Sequence, residues 1–270
     1  MLGEIHFEPW QCIAEFVDNS IDSYLTAIKD DEDYLENIGT EVFGINVDLP
    51  AQADFDNGLA KLSVSDMGPG MTRDELRSAV KAGFSGNDPL GKLGLFGMGF
   101  NIASARLGRR TKVMTTKAGE PHWMVVEIDL DKLEKSGKFK APVTFIEKED
   151  DQFHGTIVEV SRLKRDFKGH LSSGAGRLAI RKRLRRIYSS ILNDHPVVIM
   201  MADSEVLPWK HCVWSNDRVV TMGDGTEQTP IVEIDYALPD NMFCKTCWHW
   251  LEPATVRDDT CHMCGTEGNL

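Results

Sequence analysis

The stretch Ala14-Glu15-Phe16-Val17-Asp18-Asn19-Ser20-Ile21-Asp22-Ser23 constrains the fold of this chain more than any other. Ile13, Phe16, Val17 and Ile21 recur at spacings of three and four, which predicts a helix buried along one stripe. Glu15 and Asn19 stand one turn apart and project from the same side, with Asp22 near that edge a turn further on. A carboxylate can take a proton from water, and an amide oxygen beside it can ligate a hard cation such as Mg²⁺. Taken alone, the stretch reads first as an amphipathic helix with a solvated polar face.

Two later stretches change that balance. In Leu62-Ser63-Val64-Ser65-Asp66-Met67-Gly68-Pro69-Gly70-Met71, the alternation of Leu62 and Val64 predicts a strand with Asp66 at its end. Gly68 and Gly70 then allow backbone to approach a ligand without Cβ atoms in the way. Gly94-Leu95-Phe96-Gly97-Met98-Gly99-Phe100 leads into the helix-like Asn101 to Ala105. Glycines at a helix start favour phosphate, because free N–H groups and the helix dipole both point at it. Either glycine cluster alone reads more readily as a turn.

Taken together and in this order, these residues resemble the GHKL ATPases, the Bergerat-fold superfamily of DNA gyrase B, Hsp90, histidine kinases, MutL and MORC proteins. Glu15 and Asn19 match its helical Glu-xxx-Asn. Asp66, Gly68 and Gly70 match its Asp-x-Gly-x-Gly, and Gly94, Gly97 and Gly99 match its Gly-x-x-Gly-x-Gly segment. Gly155-Thr156, opening the strand-like Ile157 to Val160, matches its late Gly-Thr. The lysine-bearing P-loop pattern is absent.

The resemblance implies that Glu15 is the general base for water attacking ATP and that Asn19 ligates Mg²⁺, with Asp22 positioning its waters. Asp66 takes the adenine amino group, Gly70 lets the base close in, and Thr156 supports Asp66. Gly68, Met71 and Phe100 join the nucleotide contacts. Gly94, Gly97 and Gly99 serve the phosphates in a segment that acts as a lid. Lys92 stands where a cation would meet phosphate, and a solvent-exposed lysine is the alternative reading. Slow turnover with ATP-dependent pairing of two copies, as a switch, is the implied activity. The alternative is an ATP-sensing or nucleic-acid-binding subunit of a larger complex with little hydrolysis.

Order of elements predicts a two-layer α/β sandwich with a mixed, largely antiparallel sheet. Strands are expected at Val42–Leu49, Thr111–Thr116, His122–Asp129, Val143–Glu147, Thr156–Val160, Val197–Met201 and Val206–Leu207. Three segments follow: an ATP-binding domain over 1–165, a connecting α/β segment over 166–240, and a small zinc module over 241–270. Thr72 and Glu75 form a capping box for a helix reaching about Ala82. Leu171 to Leu192 reads as a basic amphipathic helix, and Arg181 to Arg186 would meet nucleic acid or cover acidic parts of its own domain. The net charge of −12 argues against a protein that coats polyanions overall. With neither a membrane-length apolar run nor a signal peptide, a cytoplasmic location is expected.

In the tail, Cys244-x-x-Cys247 and Cys261-x-x-Cys264 are paired knuckles. Four thiolates at this spacing suit a tetrahedral Zn²⁺ better than disulfides. Cys12 and Cys212 read as lone buried thiols. The run from Cys244 through Trp250 and Pro253 resembles the start of a CW-type finger of the kind MORC proteins carry, although no tryptophan precedes Cys244.

Overall fold

Pro9 occupies the first turn of helix α1 (Pro9–Asp30), where its missing N–H has no helical partner to lose. The helix buries Cys12, Ile13, Phe16, Val17, Ile21 and Tyr24 along one stripe. The computed structural model describes residues 7–80, 99–136, 141–209, 219–229, 243–249 and 260–267. The acidic stretch after α1 is an exposed bend closed by one helical turn, α2 (Tyr34–Asn37). Strand β1 (Phe43–Asp48), a turn of helix α3 (Gln52–Asp56) and strand β2 (Lys61–Asp66) follow. The connection between these two strands therefore contains a short helix.

Helix α4 (Arg73–Ala79) carries the expected capping box. Glu75 donates its N–H to Thr72 Oγ1, and the Glu75 carboxylate accepts from the Thr72 N–H at 2.6 Å. It ends at Ala79, short of Ala82. Helix α5 (Gly99–Leu107) leads into β3 (Gly108–Thr116), β4 (His122–Asp129), α6 (Leu130–Ser136), β5 (Val143–Glu147) and β6 (Gly155–Leu163). A 3₁₀ turn precedes α7 (Lys168–Ser172), α8 (Gly174–Ile187) and α9 (Ser189–Asp194). The basic stretch is thus three helices rather than one. Ser173 is extended and its Oγ caps α8 by accepting from Gly176 N–H. A Cβ on Gly176 would collide with the carbonyls of Gly169 and His170, so α7 and α8 cross closely there.

Strands β7 (Val197–Met201) and β8 (Ser204–Glu205) are joined through Ala202 and Asp203, both left-handed. The strand expected at Val206–Leu207 lies two residues earlier. Val206 N–H still donates to Ile199 C=O at 2.8 Å. Gly223-Asp224-Gly225 turns a short hairpin of β9 (Val220–Thr221) and β10 (Glu227–Gln228). Residues 231–234 and Cys212, read as a lone thiol, fall outside the described residues.

Eight strands form one mixed sheet in the order β5-β4-β3-β6-β2-β1-β7-β8. All neighbours are antiparallel except β1 and β7. Phe43, Ile45 and Val47 alternate inward, in register with Val197, Ile199 and Met201 on one side. On the other side Leu62 and Val64 of β2 point the same way. One face of these strands is therefore buried, and α1, α5 and α8 pack over it. A second apolar cluster joins Leu76 and Val80 to Val113, Val126 and Ile128, and Phe100 touches both clusters.

The chain divides into two compact units, Met1–Lys210 and His211–Leu270. Residues 166–209 contribute α8, α9 and β7 to the first unit. No helix among the described residues is long and apolar enough to cross a membrane.

Ile199 is fully buried between β1 and the helices. Ile199→Ala should lower the unfolding free energy of the first unit by about 2–5 kcal/mol, read from urea denaturation.

Candidate functional site

Helix α1 supplies the framework of the site. Its apolar stripe faces the sheet, and this leaves Glu15 half-buried, Asn19 exposed and Asp22 buried. Phe16 packs against Phe100 with ring centres 5.7 Å apart and planes tilted by 60°, which fastens α1 to α5. The first residue of α5, Gly99, then lies against the Glu15 carboxylate. A Cβ on Gly99 would collide with that carboxylate. Any other residue here would displace either the acid or the helix start. Burial raises the Glu15 carboxyl above its ordinary value.

Asn19 donates its amide N–H to the Glu15 carbonyl at 2.8 Å. Its nitrogen is thereby committed, and its oxygen remains as an exposed acceptor. This is the polarity that a hard cation requires.

Five residues along α1 from Glu15, Ser20 reaches the second motif. Its hydroxyl donates to Asp66 Oδ2 at 2.8 Å. Asp66 Oδ1 accepts from Gly68 N–H at 2.9 Å and from Thr156 N–H at 3.3 Å. The last bond follows from sheet register, which sets Asp66 opposite Thr156. Burial pushes the Asp66 carboxyl up, and these three donors oppose the shift. Oδ1 has both lone-pair sites taken, whereas Oδ2 keeps one.

The loop after Asp66 is held from three directions. Tyr34 Oη donates to Met67 C=O at 2.9 Å. The His154 ring nitrogen Nδ1 pairs with Gly68 C=O at 2.8 Å. Met71 N–H donates to Thr115 Oγ1 at 2.9 Å, and Thr115 in turn meets the Thr156 hydroxyl at 3.0 Å. Gly70 has φ +70°, and a Cβ there would collide with the Thr116 carbonyl. Gly68 packs so closely on Ser23 that a side chain would strike its hydroxyl.

α1 therefore brings Glu15 and Asn19, together with the loop Asp66–Met71 and the start of α5, into one contiguous region. Met71 and Phe100 are half-buried and pack against the second apolar cluster, so their side chains serve the core. Lys92, Gly94 and Gly97 lie outside the described residues. Ser20, Tyr34, Thr115 and His154 escaped the sequence reading. Only Ser20 carried a local signal, being next to Asn19 on the motif helix. The others reach the loop through strand register or a distant turn.

The arginines of α8 divide by role. Arg177 donates to the carbonyls of Leu171 and Pro50, Arg181 to Met201, and Arg185 to Leu207. Arg186 lies over the Trp209 ring at 4.6 Å and Arg183 over Trp10 at 5.8 Å. This helix covers its own domain by binding backbone carbonyls rather than acidic helices.

In the second unit, Cys244, Cys247, Cys261 and Cys264 bring their sulfurs within 4.8 Å of one another. Cys244 and Cys264 stand 3.7 Å apart, as do Cys247 and Cys261. Sulfurs about 2.3 Å from a tetrahedral centre are about 3.8 Å apart, so the cluster has the dimensions of a zinc site. The two knuckles share one backbone pattern. Trp248 N–H returns to Cys244 C=O at 2.7 Å and Gly265 N–H to Cys261 C=O at 2.8 Å. Trp248 and Gly265 are both left-handed.

A family model described as histidine kinase-, DNA gyrase B- and HSP90-like ATPase matches residues 7–156, more than half of the chain. The chain belongs to this family. The match includes every motif residue of the first unit and ends before α7, α8, α9 and the cysteine cluster. No curated protein matches the chain.

Gly70→Ala would place a Cβ against the Thr116 carbonyl at a positive φ. It should destabilise the first unit by more than about 1 kcal/mol, seen as a lower denaturant midpoint.

Proposed function

We propose that this chain binds Mg–ATP and hydrolyses it slowly as a switch. One observation carries the reading. A single helix lays Glu15 on the start of α5 and, through Ser20, holds Asp66 at the end of β2.

The remaining lone pair of Asp66 Oδ2 would accept the adenine amino proton, which gives selectivity for a base that presents a donor at that edge. The loop Asp66–Met71, already fastened, would receive the ring with little ordering cost. The amide oxygen of Asn19 would ligate Mg²⁺, with Asp22 orienting its waters. The ion would offset phosphate charge. Gly99 would present its backbone N–H to the phosphates at the start of α5.

Glu15 would take the proton of the attacking water. A carboxyl raised by burial is a stronger base than an exposed one. Closure of the glycine segment over the phosphates and pairing of two copies on ATP belong to the same reading, supported by family membership. We place zinc in the four-cysteine cluster as a structural ion.

Glu15→Ala should keep ATP binding and abolish turnover, measured as phosphate release beside bound nucleotide. In the parent, the rate should fall as pH drops through the raised Glu15 value, so the acid limb should lie above the ordinary 4.5. Parental turnover in the variant would remove Glu15 as base. ATP bound without phosphate release by the parent would make the chain a nucleotide sensor instead.

Zinc should be present at one ion per chain by elemental analysis. Chelation should unfold the cysteine unit while leaving the first unit's cooperative transition in place.

A further inference from the structure

Tyr188 closes α8 and is buried, with 3% of its surface exposed. It lies beyond the residues that the family model matches. Its hydroxyl reaches two acceptors on α1: Asp18 Oδ1 at 2.6 Å and the Ala14 carbonyl at 3.1 Å. These acceptors stand one helical turn apart, and each immediately precedes a motif residue: Ala14 precedes Glu15 and Asp18 precedes Asn19. We infer that Tyr188 is a positioning residue for ATP hydrolysis, fixing the rotation of α1 and hence the aim of Glu15. The inference rests on the reading of Glu15 as the base.

The argument is geometric. Apolar packing of Phe16, Val17 and Ile21 holds α1 on the sheet, but it is non-directional. A hydrogen bond specifies an angle. Side-chain tips lie about 5–6 Å from a helix axis, so a rotation of roughly 10° moves the Glu15 carboxylate by about 1 Å. A displacement of that size from a change away from the chemistry can cost up to about a hundredfold in rate. Tyr188 grips the 14/18 edge, one residue and about 100° around from the Glu15/Asn19 edge. Ser20 grips the helix a further residue round, through Asp66. Two directional contacts on separate edges leave the helix no free rotation.

The Asp18 bond is also the stronger of the two. At 2.6 Å it has the length of a hydroxyl donating to an ionised carboxylate. Burial, with Glu15 and Asp22 close by, pushes the Asp18 carboxyl up to about 6, against the pull of the Tyr188 bond.

The test is Tyr188→Phe in the full chain, with ATP turnover and ADP affinity measured together. The expected result is a kcat reduced about ten- to hundredfold, with ADP affinity and the KM for ATP essentially unchanged. Asp18→Asn should lower kcat in the same direction by a smaller factor. The double variant should be no slower than Tyr188→Phe alone, because both remove one contact. Parental kcat in Tyr188→Phe overturns the inference, as does equal loss of kcat and ADP affinity, which marks a merely structural role. If Tyr188→Phe does not fold, Asp18→Asn decides, and parental kcat there overturns it. Absence of turnover in the parent overturns the Glu15 reading itself, and this inference with it.

Discussion

Where Glu15, Asn19 and Ser20 fall in the site depends on how α1 is rotated about its own axis. The helix must bury Cys12, Ile13, Phe16, Val17 and Ile21, and that requirement selects a stripe. Once the stripe is set, Glu15 falls beside Gly99, Ser20 beside Asp66 and Ser23 beside Gly68. Burial and chemistry are thus two consequences of one orientation. A substitution that tilts the stripe changes both together.

Asp66 illustrates the cost of such a site and how it is offset. Taking a carboxylate out of water is unfavourable by several kcal/mol unless it is hydrogen-bonded. Here three donors from three separate elements meet it: Ser20 on α1, Gly68 in the loop and Thr156 on β6. Each is useful only if the others hold the acid still. The glycines are forced by the same crowding. Gly68 fits under Ser23, Gly70 turns against Thr116, and Gly155 passes so near the Asp66 carbonyl that a Cβ would collide with it.

Much of this was legible in the sequence because it is local or periodic. The apolar stripe of α1, the capping box at Thr72 and Glu75, and the alternation in β1 and β2 are written at spacings of two, three and four, and β7 is a short continuous apolar run. The glycines were legible because close approach excludes other residues. The cysteine pairs were legible because knuckle spacing is narrow. His154 and Thr115 were not, since each is an ordinary residue until the register of β6 with β2 and β3 is known, and Tyr34 was not, because it reaches Met67 from the separate turn α2. The single helix expected over 171–192 failed for a local reason, the cap at Ser173, which lies just ahead of a close crossing at Gly176. The acidic and basic stretches differ in outcome as well. The first is solvated, while in the second Arg177, Arg181 and Arg185 donate to backbone carbonyls and Arg183 and Arg186 lie over tryptophan rings.

The sheet order explains why residues beyond the matched segment belong to the site. β6 is antiparallel to β2, β2 is antiparallel to β1, and β1 is parallel to β7. β6 and β7 therefore run in the same direction, separated by two strands. A chain joining parallel strands in one sheet has to cross a face of that sheet, and it needs a dozen or more residues to do so. Among the described residues, the face of β1, β2 and β7 that is buried is the one under α1. The crossover thus carries α7, α8 and α9 onto the same side and delivers α8 beside α1. The contact of Tyr188 with Asp18 and Ala14 is a consequence of that route. A strand β7 that paired with β1 antiparallel would need no such crossing, and α1 would lose its second polar grip.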